Sequence, residues 1–235
     1  LWPKPIPVIG LTGDYASGKT LFGLTIAPGK DTLVYDCEKS SASYSDLGHD
    51  RIDVPAMMLA RTAGESYTSE QMFVWWRDHV RSLAPGQYRV IILDPASEIE
   101  AGIFDFVMNN PTLFGKTRAQ YLKSSAMVWG DVKDYWKRIL ADVASRCETF
   151  VFTVHLRLMW VDNKPTNKKA PKGKSTLEEL ASLYLWMERK PNLRGEVPAQ
   201  PAAIVKKTRL LHTRFDPATG TLEMIPALPP RLPIA

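Results

Sequence analysis

Cysteines and long hydrophobic runs are both scarce in this sequence of 235 residues. The two cysteines, Cys37 and Cys147, do not have the spacing of metal ligands, so we expect neither a structural disulfide nor a cysteine-bound metal. No run of about 18 apolar residues occurs, and we therefore expect no transmembrane helix and no membrane partner. The stretch LWPKPIPVIGL at the start is too short and too rich in proline for a secretory signal. These absences favour a reduced, cytoplasmic protein.

The composition is that of a folded protein, with 45% hydrophobic and 23% charged residues. The length fits one globular domain with an extended loop or tail. The formal net charge is +5, which is compatible with a polyanionic partner but does not establish one.

The stretch GDYASGKT, residues 13–20, matches the G-x-x-x-x-G-K-[ST] pattern of a phosphate-binding loop (P-loop) in full. Its glycines let the backbone turn so tightly that successive N–H groups converge on an anion. Lys19 is expected to reach the terminal phosphates, and the Thr20 hydroxyl is expected to bind Mg²⁺. An ordinary turn is the simpler alternative, but a strand pattern precedes the loop and a helical pattern follows it. The predicted nucleotide-binding residues are Gly13, Asp14, Tyr15, Ala16, Ser17, Gly18, Lys19, Thr20 and Leu21.

Apolar runs that suit strands alternate along the chain with amphipathic stretches that suit helices. The run YRVIILD is typical of a parallel strand that is buried on both faces. The predicted strands are residues 7–12, 31–38, 51–57, 88–94 and 149–154, and the predicted helices are residues 18–27, 68–83, 97–110 and 126–146. This alternation predicts an α/β fold with a mostly parallel central sheet flanked by helices.

Acidic residues follow two of the predicted strands and are candidates for the chemistry at the phosphates. Asp94 ends the strand VIILD and is predicted to hold Mg²⁺ together with Thr20, although an aspartate can also simply end a strand. Hydrolysis also needs a group that orients water. The candidates are Asp36, Glu38, Glu98 and Glu100. Glu38 is favoured because its carboxylate would point at the γ-phosphate if the second strand lay beside the P-loop strand.

Two segments with several basic residues interrupt the alternation and are predicted to be loops. Residues 109–125 include Lys116 and Arg118, and residues 162–175 are rich in lysine. A mobile, solvated loop is the simpler interpretation, whereas a loop that becomes ordered on a phosphate backbone is the functional one. Trp160, beside the second segment, is a candidate for stacking on a nucleic-acid base.

The order of these features resembles the core of the RecA/RadA recombinases. In that family the carboxylate after the strand that here ends in YDCEKS orients the attacking water, and the resemblance implies this role for Glu38. The stretch FVFTVHLRLMW resembles the family's sensor strand and places His155 where the γ-phosphate is sensed, with Arg157 leading into a DNA-binding loop. A buried, hydrogen-bonded histidine is the simpler interpretation of His155.

The resemblance extends over nearly the whole chain. Residues 109–125 and 162–175 correspond to the first and second DNA-binding loops, and residues 177–190 correspond to the strand region that follows. The stretch IVKKTRL resembles the strand whose paired cations reach a neighbouring subunit's ATP, which implies this role for Lys207 and Arg209. These two residues share one face of a strand, and an edge protected by charge is the simpler interpretation. The predicted nucleic-acid-binding residues are Lys116, Arg118, Arg157, Lys164, Lys168, Lys169, Lys172 and Lys174.

In its compactness the chain is most similar to the small RecA-like ATP-binding proteins of bacteriophages, of the Sak type linked to single-strand annealing. The resemblance implies ATP and Mg²⁺ as cofactors, DNA-stimulated ATP hydrolysis, single-stranded DNA as partner, and self-assembly into a filament or ring. It also suggests a phage protein in the cytoplasm of a bacterial host, with a single-stranded-DNA-binding protein as a second partner. The predicted ATPase core spans residues 1–223, and a proline-rich tail spans residues 224–235. The chain departs from the family in having His155 instead of glutamine and a first basic loop that is not rich in glycine.

Three alternatives stay open on the sequence alone. One is a helicase-like ring motor, which shares the same core. Another is a nucleotide-dependent switch or scaffold without DNA binding, whose lysine-rich segment is merely solvated. A small-molecule kinase is less favoured because we find no arginine-rich lid.

Overall fold

Short apolar runs of the sequence form a central β-sheet in the computed structural model of the protein. The structure describes residues 7–161, 164–172, 176–188, 202–208, 211–216, 221–226 and 231–233. Its strands are β1 (Val8–Gly13), β2 (Thr32–Asp36), β3 (Asp50–Asp53), β4 (Val90–Asp94), β5 (Thr149–Val161), β6 (Lys164–Pro171), β7 (Leu183–Glu188), β8 (Ala202–Thr208), β9 (Leu211–Asp216), β10 (Thr221–Pro226) and β11 (Arg231–Pro233).

The main sheet is mostly parallel. Its strand order is β11-β8-β7-β1-β5-β4-β2-β3, and β6 pairs with β5 outside this path. The six strands from β7 to β3 run parallel to one another, whereas β8, β11 and β6 are antiparallel additions. Strands β9 and β10 form a separate antiparallel pair. The predicted α/β fold with a mostly parallel sheet is therefore confirmed.

Helices follow the strands where the sequence supplies amphipathic patterns and capping residues. The helices are α1 (Lys19–Leu24), α2 (Val54–Arg61), α3 (Ser69–Ser82), α4 (Ala96–Asn109), α5 (Arg118–Lys123), α6 (Ser125–Ala144) and α7 (Thr176–Leu180). Helix α3 begins at a capping box in which the Thr68 side chain accepts a hydrogen bond from the backbone N–H of Gln71, while the Gln71 side chain bonds the backbone of Thr68. Among the described helices, none has the length and apolarity needed to cross a membrane.

The apolar core consists of two clusters, one on each face of the sheet. Phe150 and Phe152 of β5 belong to the cluster that also contains residues of α3, α4 and α6. Val151, between them in sequence, belongs to the second cluster together with Leu24 of α1. This alternation follows from the two-residue period of a strand, and it explains why the central strands read as continuous apolar runs.

The predicted strand at residues 51–57 is only half correct. Strand β3 ends at Asp53, and the residues from Val54 onward form helix α2. The Asp53 side chain accepts a hydrogen bond from the backbone N–H of Ala56, and Pro55 occupies the first turn. Aspartate at the cap and proline in the first turn both favour the start of a helix.

Residues 109–125 are not the open loop that was predicted. They contain a short 3-10 turn at Pro111–Phe114 and helix α5, and α6 starts at Ser125. Thr117 and Gln120 form a capping box that starts α5. The basic residues of this segment therefore lie on or beside a helix.

The prediction of a loop at residues 162–175 is also wrong for its described part. Strand β5 continues seven residues beyond its predicted end at 154, and β6 pairs antiparallel with its second half. The pairing supplies backbone hydrogen bonds outside the main sheet. Lysine, proline and asparagine have low strand propensity, which explains why the sequence pattern indicated a loop. We call β6 and residues 156–161 of β5 the basic hairpin.

The remaining differences concern the C-terminal part of the chain. The region 177–190, predicted as a strand, begins with part of α7 and continues as β7, with residues 189–190 outside the described part. The proposed boundary between residues 223 and 224 stays a prediction, and β10 spans it.

The fold predicts a large stability difference between two neighbouring residues of α6. Trp136 is fully buried and packs edge-on against Trp76, whereas Lys137 is exposed. We expect Trp136→Ala to lower the free energy of unfolding by about 3–5 kcal/mol, because it leaves a cavity in the core. We expect Lys137→Ala to change it by less than about 0.5 kcal/mol. Urea unfolding measures both values, and equal losses would contradict the described packing.

Candidate nucleotide-binding site

The carboxyl ends of four parallel strands meet at one edge of the sheet. In the strand register Gly13 of β1 lies beside His155 of β5, and Asp36 of β2 lies beside Asp94 of β4. In open α/β sheets this edge is where ligands bind. The residues predicted for phosphate chemistry are therefore brought to one place.

The P-loop needs its two glycines for different reasons. A Cβ atom on Gly13 would lie 2.5 Å from the backbone oxygen of Met187, so only glycine fits between β1 and β7. Gly18 has a φ of +89° and is the N-terminal cap of α1, a conformation that favours glycine. The loop thus turns directly from a buried strand into a helix, as a phosphate-binding loop requires.

Lys19 is buried and folds back across the loop. Its Nζ donates hydrogen bonds to the backbone oxygens of Gly13 at 3.0 Å and Asp14 at 2.7 Å. Burial lowers the pKa of Lys19, and the nearby carboxylates of Asp94, Asp14 and Glu38 partly oppose this effect. An anion in the loop would stabilise the charged ammonium further, which fits the residue to a phosphate ligand.

Asp94 accepts hydrogen bonds from hydroxyl groups on three different elements. Thr20 of α1 donates at 2.6 Å, and Ser40, in the turn after β2, donates at 2.5 Å. Thr153 of β5 donates to the other carboxylate oxygen. Ser40 and Thr153 were not predicted; Thr153 could have been found, because it lies two residues before His155 and hence on the same face of the strand.

These oxygens also suit a metal ion. Hydroxyl and carboxylate oxygens are ligands that Mg²⁺ prefers, and Mg²⁺ is usually bound by few protein groups together with phosphates. In the part of the chain that the structure describes, no group of three His, Cys, Asp or Glu side chains could hold a metal alone. Thr20 and Asp94 therefore fit a Mg²⁺ ion that is bound jointly with a nucleotide.

Glu38 and His155 form a close pair at the same cleft. The His155 Nε2 and Glu38 Oε2 atoms are 2.6 Å apart. The ring of Tyr15 stacks on His155, with a centroid distance of 4.5 Å and an interplanar angle of 24°. The cleft has a volume of about 300 Å³ and is lined by Tyr15, Ala16, Ser17, Gly18, Lys19, Thr20, Glu38, Ser40, Tyr44, Asp94 and His155.

Glu38 reaches the cleft by a different route from the one predicted. Strand β2 is not beside the P-loop strand, since β5 and β4 lie between them. The turn after β2 instead bends over the end of β4, where the backbone N–H of Cys37 donates to the backbone oxygen of Asp94 at 2.7 Å. The turn, and not strand adjacency, carries Glu38 to the cleft.

Asp36 is a structural residue of this turn. It is fully buried and accepts hydrogen bonds from the backbone N–H groups of Glu38, Ser40 and Ser41, from the Ser41 hydroxyl and from Arg51 Nε at 2.8 Å. Burial tends to raise the pKa of Asp36, but the hydrogen bonds from Ser41 and Arg51 outweigh it and hold the pKa below its ordinary value.

The other two acidic candidates lie beside the cleft. Glu98, in the first turn of α4, pairs with Lys172 at 3.1 Å and lines an adjoining pocket of about 330 Å³ that Glu38 also lines. Glu100 lies two residues further along α4 and is buried. Of the four candidates, Glu38 is the one that lines the phosphate cleft.

The predicted nucleic-acid-binding residues fall on two separate segments. Lys116 is half-buried and Arg118 is exposed, and both lie between α4 and α6. On the basic hairpin and just after it, the exposed residues are Arg157, Lys164, Lys168, Lys169 and Lys172. Lys169 forms an ion pair with Asp14 of the P-loop at 2.6 Å.

Three predicted site residues cannot be placed in full. Lys207 lies on β8 opposite Tyr184, and its side chain is outside the described part. Lys174 and Arg209 lie entirely outside the described residues.

A larger groove of about 800 Å³ lies between α2 and α3, and its lining includes Met58 and Trp75. None of the P-loop residues lines it. The candidate site is therefore assigned by its chemistry and not by its size.

Comparison with known families agrees with this geometry. A sequence profile of the family AAA_24, described as an AAA domain, matches residues 7–213. The chain belongs to this AAA-domain family. As an AAA domain with a complete P-loop, it is a P-loop ATPase, and the match includes every residue that lines the cleft. No curated protein matches the sequence at a significant level. The family match does not distinguish annealing proteins from other AAA-domain ATPases.

The buried Asp36 predicts a pH-dependent effect of removing Arg51. Breaking a buried ion pair costs about 3–5 kcal/mol, and we expect about 3 kcal/mol for Arg51→Met because the Arg51 side chain is 24% exposed. The lowered pKa of folded Asp36 stabilises the wild type above about pH 4, the pKa of an unfolded aspartate, and this contribution is lost as the pH falls further. The difference in unfolding free energy between wild type and variant should therefore be full at pH 7 and shrink at about pH 3. Arg61→Met, at an exposed arginine of α2, is the control. A pH-independent difference would contradict the assigned role.

Proposed function

We propose that this P-loop ATPase binds single-stranded DNA in its ATP-bound form and acts in recombination or strand annealing. The observation that carries the proposal is the path of β5. This strand holds Thr153 and His155 at the phosphate cleft and continues without interruption into the basic hairpin. A change at the cleft can thus be transmitted to a cationic surface along one strand.

Nucleotide binding follows from the P-loop residues. Lys19 and the backbone amides of residues 15–20 hold phosphates, and Thr20 and Asp94 hold Mg²⁺. When bound, Mg²⁺ neutralises charge on the phosphates. The hydroxyl groups of Ser40 and Thr153 keep the Asp94 carboxylate oriented.

Hydrolysis depends on Glu38 and His155. Glu38 orients the attacking water and accepts its proton, since it is the acidic candidate at the cleft. His155 contacts Glu38 and lies beside the P-loop strand, where it can sense the γ-phosphate. Lys207 and Arg209 would complete the site of a neighbouring subunit in a filament or ring, where added cations stabilise the transition state.

The DNA contact is assigned to the basic hairpin, with Lys116 and Arg118 as a second basic segment. The hairpin presents exposed cations on a two-stranded ribbon, which suits the regularly spaced charges of a phosphate backbone. A single-stranded-DNA-binding protein is a further partner under this proposal.

A nucleotide-dependent switch without DNA is the second candidate. The observation that favours it is the ion pairing of Lys169 with Asp14 and of Lys172 with Glu98. These contacts would give Lys169 of the hairpin and Lys172, just after it, an internal role.

ATP turnover with and without single-stranded DNA tests the proposal. We expect DNA to stimulate turnover, Glu38→Gln to reduce it by roughly 10²-fold or more, and Lys19→Ala to abolish nucleotide binding. A variant with Lys164, Lys168, Lys169, Lys172 and Lys174 changed to alanine should lose the stimulation. Turnover that ignores DNA would favour the switch, and ATP-driven separation of duplex strands would favour a ring motor.

DNA affinity should depend steeply on salt. If the hairpin neutralises several phosphates, the affinity should fall by roughly 10³-fold or more between about 50 and 200 mM salt. The five-lysine variant should bind weakly with a shallower slope. A control variant removes the same number of charges at Lys30, Arg61, Arg89, Lys137 and Arg138, which are exposed. Equal losses in both variants would show that only net charge matters.

A further inference from the structure

Tyr15 is an aromatic residue in the P-loop that makes a specific contact although it is 76% exposed. One face of its ring stacks on His155, with centroids 4.5 Å apart. Aromatic side chains stabilise a protein mainly through the apolar surface that they bury. Tyr15 buries little surface, so we look for its role in the contact with His155.

The buried imidazole of His155 has few hydrogen bonds that fix its orientation. Its Nε2 lies 2.6 Å from Glu38, while its Nδ1 is buried without a hydrogen-bond partner among the described residues. A ring held by one hydrogen bond can still rotate about that bond. The stacked Tyr15 ring removes this freedom, and Glu38 is held in turn by His155.

Asp14, the neighbour of Tyr15, contacts the basic hairpin. Both carboxylate oxygens of Asp14 bond Lys169 Nζ, at 2.6 and 2.7 Å. The two side chains are 60% and 44% exposed, so the pair is weak and phosphates can compete for Lys169. The backbone N–H of Ser17 donates to the backbone oxygen of Asp14 at 3.3 Å, and Ala16, between them in sequence, has a φ of +56°. Because this turn is tight, a movement of Asp14 also moves Tyr15.

We propose that Asp14 and Tyr15 connect the basic hairpin to the hydrolytic pair Glu38–His155. Tyr15 is a positioning residue that fixes His155 by stacking, and Lys169 sets the position of the loop through Asp14. When a polyanion takes Lys169, the loop and the Tyr15 ring shift, and the Glu38–His155 pair changes its geometry. The link through Lys169 rests on the proposed binding of DNA at the hairpin, whereas the stacking role of Tyr15 does not.

NMR on the protein without nucleotide tests the stacking role. The chain has four histidines, so the imidazole signals can be assigned with a His155→Gln variant. Protons above an aromatic ring resonate upfield, and we expect this shift for His155 in the wild type and in Tyr15→Phe. It should be lost in Tyr15→Leu. An unchanged His155 signal in Tyr15→Leu would overturn the stacking role.

Steady-state kinetics separates positioning from nucleotide binding. We expect Tyr15→Leu to lower kcat by roughly 10- to 100-fold, the effect of a misplaced catalytic group, while KM for ATP changes by less than about threefold. Tyr15→Phe should restore kcat. A rise in KM with unchanged kcat would show instead that Tyr15 only binds the nucleotide.

The hairpin link is tested with the same His155 signal. With Mg²⁺ and a non-hydrolysable ATP analogue bound, single-stranded DNA should shift this signal in the wild type, and Lys169→Gln should shift it without DNA. Lys168→Gln is the matched control, because Lys168 is adjacent and exposed but has no carboxylate partner among the described residues, and its His155 signal should match the wild type. If DNA binds, as measured by fluorescence anisotropy, but leaves the signal unchanged, the link is wrong. If DNA does not bind, the link falls with the proposed function, and the Tyr15 experiments still decide the stacking role.

Discussion

The carboxylate of Asp94 is the group on which the arrangement of the site depends. It is almost fully buried at the end of β4 and accepts hydrogen bonds from Thr20, Ser40 and Thr153. Each donor comes from a different element, so one carboxylate fixes α1, the turn after β2 and β5 relative to one another. A buried carboxylate is costly unless its oxygens are satisfied, and the three hydroxyl groups meet that need. The same oxygens suit Mg²⁺, so structural and catalytic demands converge on one residue.

The sequence indicated the central fold well because its signals were local. The P-loop pattern and runs such as Val90–Leu93 depend on neighbouring residues, and both occur in the structure as predicted. The basic hairpin could not be foreseen, because lysine, proline and asparagine do not favour strands. These residues form strand β6 only because they pair with β5. Ser40 was missed for a similar reason: its contact with Asp94 spans 54 residues of sequence. Glu38 does line the cleft, but its predicted role rested on a strand adjacency that the strand order does not meet, and that role stays a prediction.

Membership in an AAA-domain family identifies the chain as an ATPase, but what the ATPase does depends on the segments that contact the nucleotide-binding site. Two such segments, the turn after β2 and the basic hairpin, are held in different ways. The turn after β2 is rigidly held by the buried Asp36, whose carboxylate accepts hydrogen bonds from the backbone N–H groups of Ser40 and Ser41, from the Ser41 hydroxyl and from Arg51. The basic hairpin is joined to the P-loop by the exposed ion pair of Lys169 with Asp14, and Lys172, just after the hairpin, pairs with Glu98; water and salt weaken such exposed pairs. The turn after β2 is therefore firmly anchored, whereas the exposed contacts of the basic hairpin are weak enough to be exchanged.

Strand β11 has a consequence for the edge of the sheet. Its three residues pair with Ala202–Ile204 of β8, and among the described strands β11 is the outermost on this side of the sheet. Pro233 in this strand has no N–H group, so the new outer edge is a poor template for a further strand. A chain shortened before residue 231 would expose the backbone of β8, and bare strand edges recruit other chains into aggregates. In the part of the sheet that the structure describes, β11 therefore covers the edge of β8, a structural role separate from any chemistry at the cleft.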